Sequence, residues 1–190
     1  VAQLGSKADP DKDEIIVDGA PLKKIPSRHV YIALNKPRQV LSDSGADDNR
    51  TTVRDLVPVP GHLFTVGRLD YDSEGLILLT PDADLANQLT HPRYGHEKEY
   101  RVLVGVRPDE KQMAALRHGV VLEDGHRTMP AQVTIEETTA KSVWMKFILK
   151  EGRKRQIREM GERIGLPVQR IMRMRIGTLL LGNLKPGEWR

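Results

Sequence analysis

The spacing of apolar and polar positions cuts the chain into many short strands and a few short helices. Ile15, Ile16 and Val17 form a brief strand, closed by the turn residues Asp18-Gly19-Ala20-Pro21. Lys23 to Arg28, with Pro26 inside it, reads as a linker into a strand at His29 to Leu34, which ends at Asn35-Lys36-Pro37. Ser42 to Arg50 is polar and predicts a loop. Thr51 to Val57 predicts a short helix stopped by Pro58, and Leu63 to Val66 and Leu76 to Leu79 predict two strands.

Thr80-Pro81-Asp82 has the order of a helix start, with a hydroxyl cap, proline at the first helical position and acids in the first turn, and the helix extends to about Leu89. From Glu97 to Val106 the residues alternate, with Lys98, Tyr100, Val102 and Val104 on one face and Glu99 and Arg101 on the other. Pro108 to His118 predicts a second helix. Strands follow at Gln132 to Ile135 and Ser142 to Leu149. Arg153 to Ile164 carries a helical stripe of Ile157, Met160 and Ile164, with Arg158 beside it. Gly165-Leu166-Pro167 ends that helix, and Val168 to Leu181 reads as one long strand kinked at Gly177. Connections too short for parallel crossovers imply an α+β fold: a mainly antiparallel, mixed sheet with flanking helices.

Composition narrows the classes. At 190 residues with 38% apolar and 29% charged side chains, the chain is long enough for one cored domain without staples. The absence of cysteine excludes disulfides, thiolate zinc sites and a cysteine nucleophile, and fits a reducing interior. No apolar run reaches the roughly 20 residues of a membrane span, and Val1 to Leu22 lacks the core of a secretory signal, so a cytoplasmic location is expected. The histidines have no metal-ligand spacing, and no metal site is expected.

The net charge of +4 is unevenly spread. Nine Lys or Arg and three Glu lie between Lys150 and Arg175, which leaves the rest of the chain slightly acidic. This basic stretch fits a polyanion binder and equally a solvated helix face with a protected strand edge.

The densest cluster of reactive groups is Gly67-Arg68-Leu69-Asp70-Tyr71-Asp72-Ser73-Glu74-Gly75, three carboxylates and an arginine held between two predicted strands. Asp70, Asp72, Glu74 and Gly75 imitate half of an EF-hand, but Pro81 stands where the loop needs a bidentate Glu. A plain acidic turn is the ordinary alternative.

Gly67 to Leu76, Leu79-Thr80 and Asp84-Leu85-Ala86-Asn87 closely resemble the signature of the bacterial ribosomal RNA pseudouridine synthases of the RsuA and RluB/RluE/RluF type. The resemblance extends to Asn35-Lys36-Pro37, Thr90-His91-Pro92-Arg93-Tyr94 and Glu97-Lys98-Glu99-Tyr100. It resumes at Glu151 to Arg158, Arg175-Ile176-Gly177 and Leu184 to Trp189, in family order. Residues 1–27 resemble the end of the small S4-like RNA-binding module that usually precedes this catalytic domain, with residues 28–190 as the pseudouridine synthase domain.

The resemblance implies that a uridine is isomerised without a cofactor, by a monomer whose partner is ribosomal RNA. The upstream and C-terminal blocks look more like the RluB side, which points to 23S rRNA, with the same chemistry on 16S rRNA as the alternative. Asp70 would be the catalytic carboxylate, attacking C1′ or taking a proton from C2′; the sequence leaves both open. Arg158 would pair with Asp70, where local spacing alone favours an i,i+4 pair with Glu162. Tyr100 would stack on the target base, where its pattern alone favours a core tyrosine. Arg68 would fill the stack vacated by a flipped base or grip its phosphate, and otherwise would pair with Asp72 or Glu74. Arg153, Lys154 and Arg155 would contact phosphates, and Gln156 would support the pocket. Two rivals remain: a non-catalytic RNA-binding assembly factor, and a sugar-cleaving hydrolase, which needs two opposed carboxyl groups.

Overall fold

A computed structural model describes residues 3, 6, 8–9, 12–21, 30–43, 49–139 and 141–190. The predicted linker from Lys23 to Arg28 and the start of its following strand at His29 lie outside these residues. Ten strands are described: β1 (Ile16–Val17), β2 (Ala20–Pro21), β3 (Ile32–Lys36), β4 (Phe64–Val66), β5 (Glu74–Thr80), β6 (Lys98–Val104), β7 (Gln132–Thr138), β8 (Val143–Leu149), β9 (Val168–Ile176) and β10 (Leu179–Leu180). The helices are α1 (Ala83–Thr90), α2 (Glu110–His118) and α3 (Gln156–Arg163). Strands β1 and β2 form a separate hairpin turned by Asp18 and Gly19, both at positive φ.

The main sheet has eight strands in the spatial order β3-β5-β9-β6-β8-β7, with β10 on β9 and β4 on β5. Every pairing is antiparallel except β5 with β9, so the sheet is mixed and mainly antiparallel as the pattern predicts. Most buried apolar side chains lie in one cluster, in which Val102, Val104 and Phe147 of the strands meet Met113 and Leu116 of α2 and Ile157 and Met160 of α3. A smaller cluster holds Ala33, Leu76, Ile176 and Leu181. Residues 187–190 hydrogen-bond along β3 and cover its outer edge, which brings the upstream Asn35-Lys36 block against the C-terminal one.

One feature of this sheet positions the site. Strand β9 pairs with β5 only at Glu74 and Gly75, and β4 pairs with β5 only from Leu78 to Thr80. Since β3 occupies the opposite edge, β9 and β4 share one edge of β5 and diverge around Leu76 and Ile77. The connection from β4 to β5, residues 67–73, leaves the sheet at this fork. Gly75 permits the close approach of β9: its φ is +105°, and a Cβ there would lie 2.3 Å from the Arg173 carbonyl oxygen.

Four local expectations are corrected. Thr51 to Val57 is a run of turns, not a helix: the Asp55 carboxylate accepts from the Thr52 N–H and hydroxyl, at 2.8 and 2.9 Å, and closes the turn. Thr80 ends β5, and Asp82 caps α1 in its place by accepting from the Leu85 N–H at 2.9 Å. Helix α3 starts at Gln156, after Arg155 in a left-handed conformation, and not at Arg153. Gly177, at φ +55°, is no kink in a long strand but part of the two-residue turn of a β9–β10 hairpin. Among the described residues no helix is long and apolar enough to cross a membrane.

Candidate active site

Alternation along β6 turns Tyr100 inward with Val102 and Val104, as its spacing predicts, and its ring is buried in the main cluster. It also reaches a cleft of about 470 Å³. The core reading of this tyrosine holds, and the same ring also borders the cleft. Its hydroxyl has no hydrogen-bond partner among the described residues, and it is absent from the sealed polar atoms of the interior, so it faces the cleft.

Asp70 lines the same cleft, as do Arg68, Arg153, Lys154, Arg155 and Gln156. Arg158 does not. It is nine-tenths buried and donates to the Asp72 carbonyl at 3.4 Å and the Val168 carbonyl at 3.3 Å. No ion pair within 4 Å joins it to Asp70 or to Glu162 among the described residues. The charges of Asp70 and Asp72 still act on Arg158, and burial together with the neighbouring Arg155 draws its pKa downward.

The Asp70 loop is held by its backbone. Every carbonyl from residue 68 to residue 73 has a donor: Arg173 for Arg68 (3.3 Å), the Ser42 hydroxyl for Leu69 (2.7 Å), the Ser73 N–H for Asp70 (3.0 Å), the Gln39 N–H for Tyr71 (2.8 Å), Arg158 for Asp72 and the Lys36 ammonium for Ser73 (2.8 Å). Ser42 also accepts from the Leu69 N–H at 2.9 Å, so one hydroxyl brackets the residue before Asp70. Complete pairing of this kind makes a charged loop rigid. The Asp70 carboxylate itself has no hydrogen bond or ion pair among the described residues.

Three of the six donors are cations. Lys36 is fully buried, and burial draws its pKa down to about 8 against the opposing pull of Asp70, Asp72 and Glu74. Arg173 is 2% exposed and fills the sheet's fork, donating to the Leu76 carbonyl at 2.7 Å as well as to Arg68. It faces Tyr100 directly across β6 and β9. Arg68 is exposed and has no ion pair among the described residues, while Glu74, its expected alternative partner, is bound by Arg170.

Gln156 accepts from the Arg153 N–H at 3.0 Å and donates to Glu151 at 2.7 Å, which ties residues 151–156 together beside the cleft. Arg153 pairs with Asp124, while Lys154 and Arg155 are exposed. Among the described residues no cluster of three or more His, Asp or Glu could hold a metal ion. Ser42, Lys36, Lys98 and Arg173 were not singled out by sequence reasoning. Lys36 gave a signal through the Asn35-Lys36-Pro37 block, and Lys98 by sharing the inward face of β6 with Tyr100.

A family profile described as RNA pseudouridylate synthase matches residues 30–162. An uncharacterized RNA pseudouridine synthase of Aquifex aeolicus is 40% identical over 192 residues, covering 100% of this chain and 76% of that protein. The ribosomal large subunit pseudouridine synthase E of Xanthomonas campestris pv. campestris is 40% identical over 179 residues, covering 85% and 94%. A pseudouridylate synthase crystal structure superposes with a TM-score of 0.77 at 31% identity, over 98% of this chain and 79% of that one. With a profile matched across most of the chain and relatives this close along its length, the chain belongs to the RNA pseudouridylate synthase family.

Proposed function

We propose that this chain converts a uridine of 23S ribosomal RNA to pseudouridine, with Asp70 as the catalytic carboxylate. The observation that carries the reading is an unpartnered carboxylate, on a loop with every carbonyl satisfied, opening into the cleft that Tyr100 also lines. Isomerisation breaks the C1′–N1 bond, turns the uracil, and joins its carbon five to C1′ as the carbon-five proton leaves. Asp70 either attacks C1′ or removes a proton at C2′, and both need it ionised and aimed. Tyr100 stacks on the uracil and retains it.

A base within a stack must first be flipped out, at a cost of a few kcal/mol. Arg68, exposed and unpaired beside Asp70, suits the vacated position or the adjacent phosphate. Arg153, Lys154 and Arg155 form the phosphate-binding wall. The Xanthomonas relative and two from Vibrio species share the name ribosomal large subunit pseudouridine synthase E, which supports the 23S target but not the RluB lean of the sequence blocks. We also read residues 1–27 as the end of an RNA-binding module, consistent with a hairpin separate from the main sheet. RNA affinity of a chain lacking residues 1–21 tests that.

The deciding experiment measures tritium release from carbon-five-labelled 23S and 16S transcripts. Release from 23S by the wild type, and none by Asp70→Asn, is expected. Release from 16S alone would overturn the choice of rRNA, binding without release would favour an assembly factor, and free uracil would favour a hydrolase.

A further inference from the structure

The cleft is lined by the Asp70 carboxylate and by several cations, Lys98 and Arg173 among them. Lys98 and Tyr100 stand two residues apart in β6 and project from the same face, and Arg173 lies opposite Tyr100 in β9. Lys98 and Arg173 both line the cleft. The acids nearest Lys98 in sequence, Glu97 and Glu99, are engaged elsewhere, paired with Arg175 at 3.2 and 3.3 Å. Neither Lys98 nor Arg173 has a carboxylate partner among the described residues. One terminal nitrogen of Arg173 is buried without a hydrogen bond, and the Lys98 ammonium has only a long contact of 3.5 Å to the His96 carbonyl. Lys98 is partly buried, and burial with the Arg173 charge lowers its pKa below that of an ordinary lysine. Two neighbouring cations left this way are unfavourable until an anion arrives.

We propose that Lys98, backed by Arg173, stabilises the uracil anion formed when the C1′–N1 bond breaks, which makes Lys98 a catalytic residue. This rests on the function proposed above. The electron pair of the broken bond passes to N1 and spreads over O2 and O4 of the ring. Lys98 keeps its proton throughout, so no charge is transferred to it. The anion is consumed when carbon five bonds to C1′; the carbon-five proton then passes to solvent while N1 takes up a proton from solvent, so the product is an isomer of the starting nucleotide. An ammonium that already lines the cleft is in place as that charge develops. The arrangement places the carboxylate and the cations in separate roles, Asp70 for the sugar and Lys98 for the base.

The test compares wild type, Lys98→Gln and Lys98→Arg on uridine transcripts and on transcripts made with 5-fluorouridine, whose ring carries anionic charge more readily. Since 5-fluorouridine has no carbon-five proton to lose, single-turnover rates on both RNAs are read as disappearance of the starting nucleoside after nuclease digestion, alongside RNA affinity and thermal unfolding. Lys98→Gln is expected to slow uridine conversion by about 10²- to 10³-fold, as for loss of one preorganised donor, with RNA affinity changed little. Lys98→Arg should recover much of the rate. The deficit of Lys98→Gln should shrink on the fluorinated RNA. That ratio is taken within one variant, so a partly unfolded fraction cancels.

Equal deficits on both RNAs, or Lys98→Arg no better than Lys98→Gln, would mark Lys98 as structural and overturn the proposal. So would wild-type rates in Lys98→Gln. A wild type that converts no uridine sinks the underlying function and this inference with it, whereas an active wild type with an indifferent Lys98→Gln sinks this inference alone.

Discussion

Ser42→Ala separates the scaffold of the Asp70 loop from its chemistry. The Ser42 hydroxyl donates to the Leu69 carbonyl at 2.7 Å and accepts from the Leu69 N–H at 2.9 Å, and the side chain is 6% exposed. Alanine removes a single oxygen and orphans two backbone groups. Each buried, unpaired group costs about 1–3 kcal/mol, so a loss of roughly 2–6 kcal/mol is expected in urea unfolding. For a domain of this size each 1 kcal/mol lowers Tm by about 2–4 °C. The peptide that loses its clamp leads directly into Asp70, and displacement of a reacting group by about 1 Å can cost up to a hundredfold in rate. Turnover should therefore fall by roughly ten- to a hundredfold, with RNA affinity within a few fold because no phosphate-contacting group is touched. If Ser42→Ala unfolds and turns over like wild type, the loop is not held by its carbonyl pairing, and the account of Asp70's placement fails.

Asp70→Asn should abolish tritium release while leaving RNA affinity within a few fold and unfolding within about 0.5 kcal/mol, since the carboxylate makes no hydrogen bond or ion pair among the described residues. Gly75→Ala would place a Cβ 2.3 Å from the Arg173 carbonyl oxygen at φ +105°, and a stability loss of at least about 3 kcal/mol is expected by urea titration. Lys36 titrates near 8 in the fold and near 10.5 unfolded, so the unfolded chain binds more protons between these values and stability rises with pH across that window. Against Lys36→Met, the wild type should gain roughly 3 kcal/mol between pH 8 and 10.5, read as the difference in unfolding free energies, and a flat difference would contradict the burial. Replacing Arg153 and Lys154 by alanine should weaken RNA binding and reduce the slope of log affinity against log salt by about one to two, measured by filter binding over a salt series.

The sequence carried the parts of the site that are local. Alternation along β6 placed Tyr100 inward, and the carboxylate-rich loop stood out between two apolar runs. What it could not carry depends on topology. Ser42 lies 27 residues before its partner Leu69, and Arg173 meets the Arg68 carbonyl across 105 residues, with nothing in either local pattern to mark them. The failed helix at Thr51 to Val57 has a specific cause: Val53 and Val57, both buried, have the four-residue spacing of a helical stripe, while Thr52 and Asp55 bond to each other and close a turn instead. Arg158 shows the same limit from the other side, since helical spacing offered Glu162 and the resemblance offered Asp70, yet its donors go to backbone carbonyls.

That preference for carbonyls explains how a carboxylate can sit among cations and stay free. Had Arg158, Arg173 or Lys36 bonded to Asp70 directly, the carboxylate would lose lone pairs that its proposed action on the sugar requires, and an incoming group would have to break a buried ion pair to reach it. By directing their donors to the carbonyls of Arg68, Asp72 and Ser73, the three cations fix the loop and surround it with positive charge while leaving the Asp70 oxygens open to the cleft. Position and field thus come from the same side chains. A cation-to-neutral substitution at any of the three must then disturb loop geometry and electrostatics together, whereas Ser42→Ala disturbs geometry alone, and the difference between those two classes of variant measures how much of the rate depends on the field.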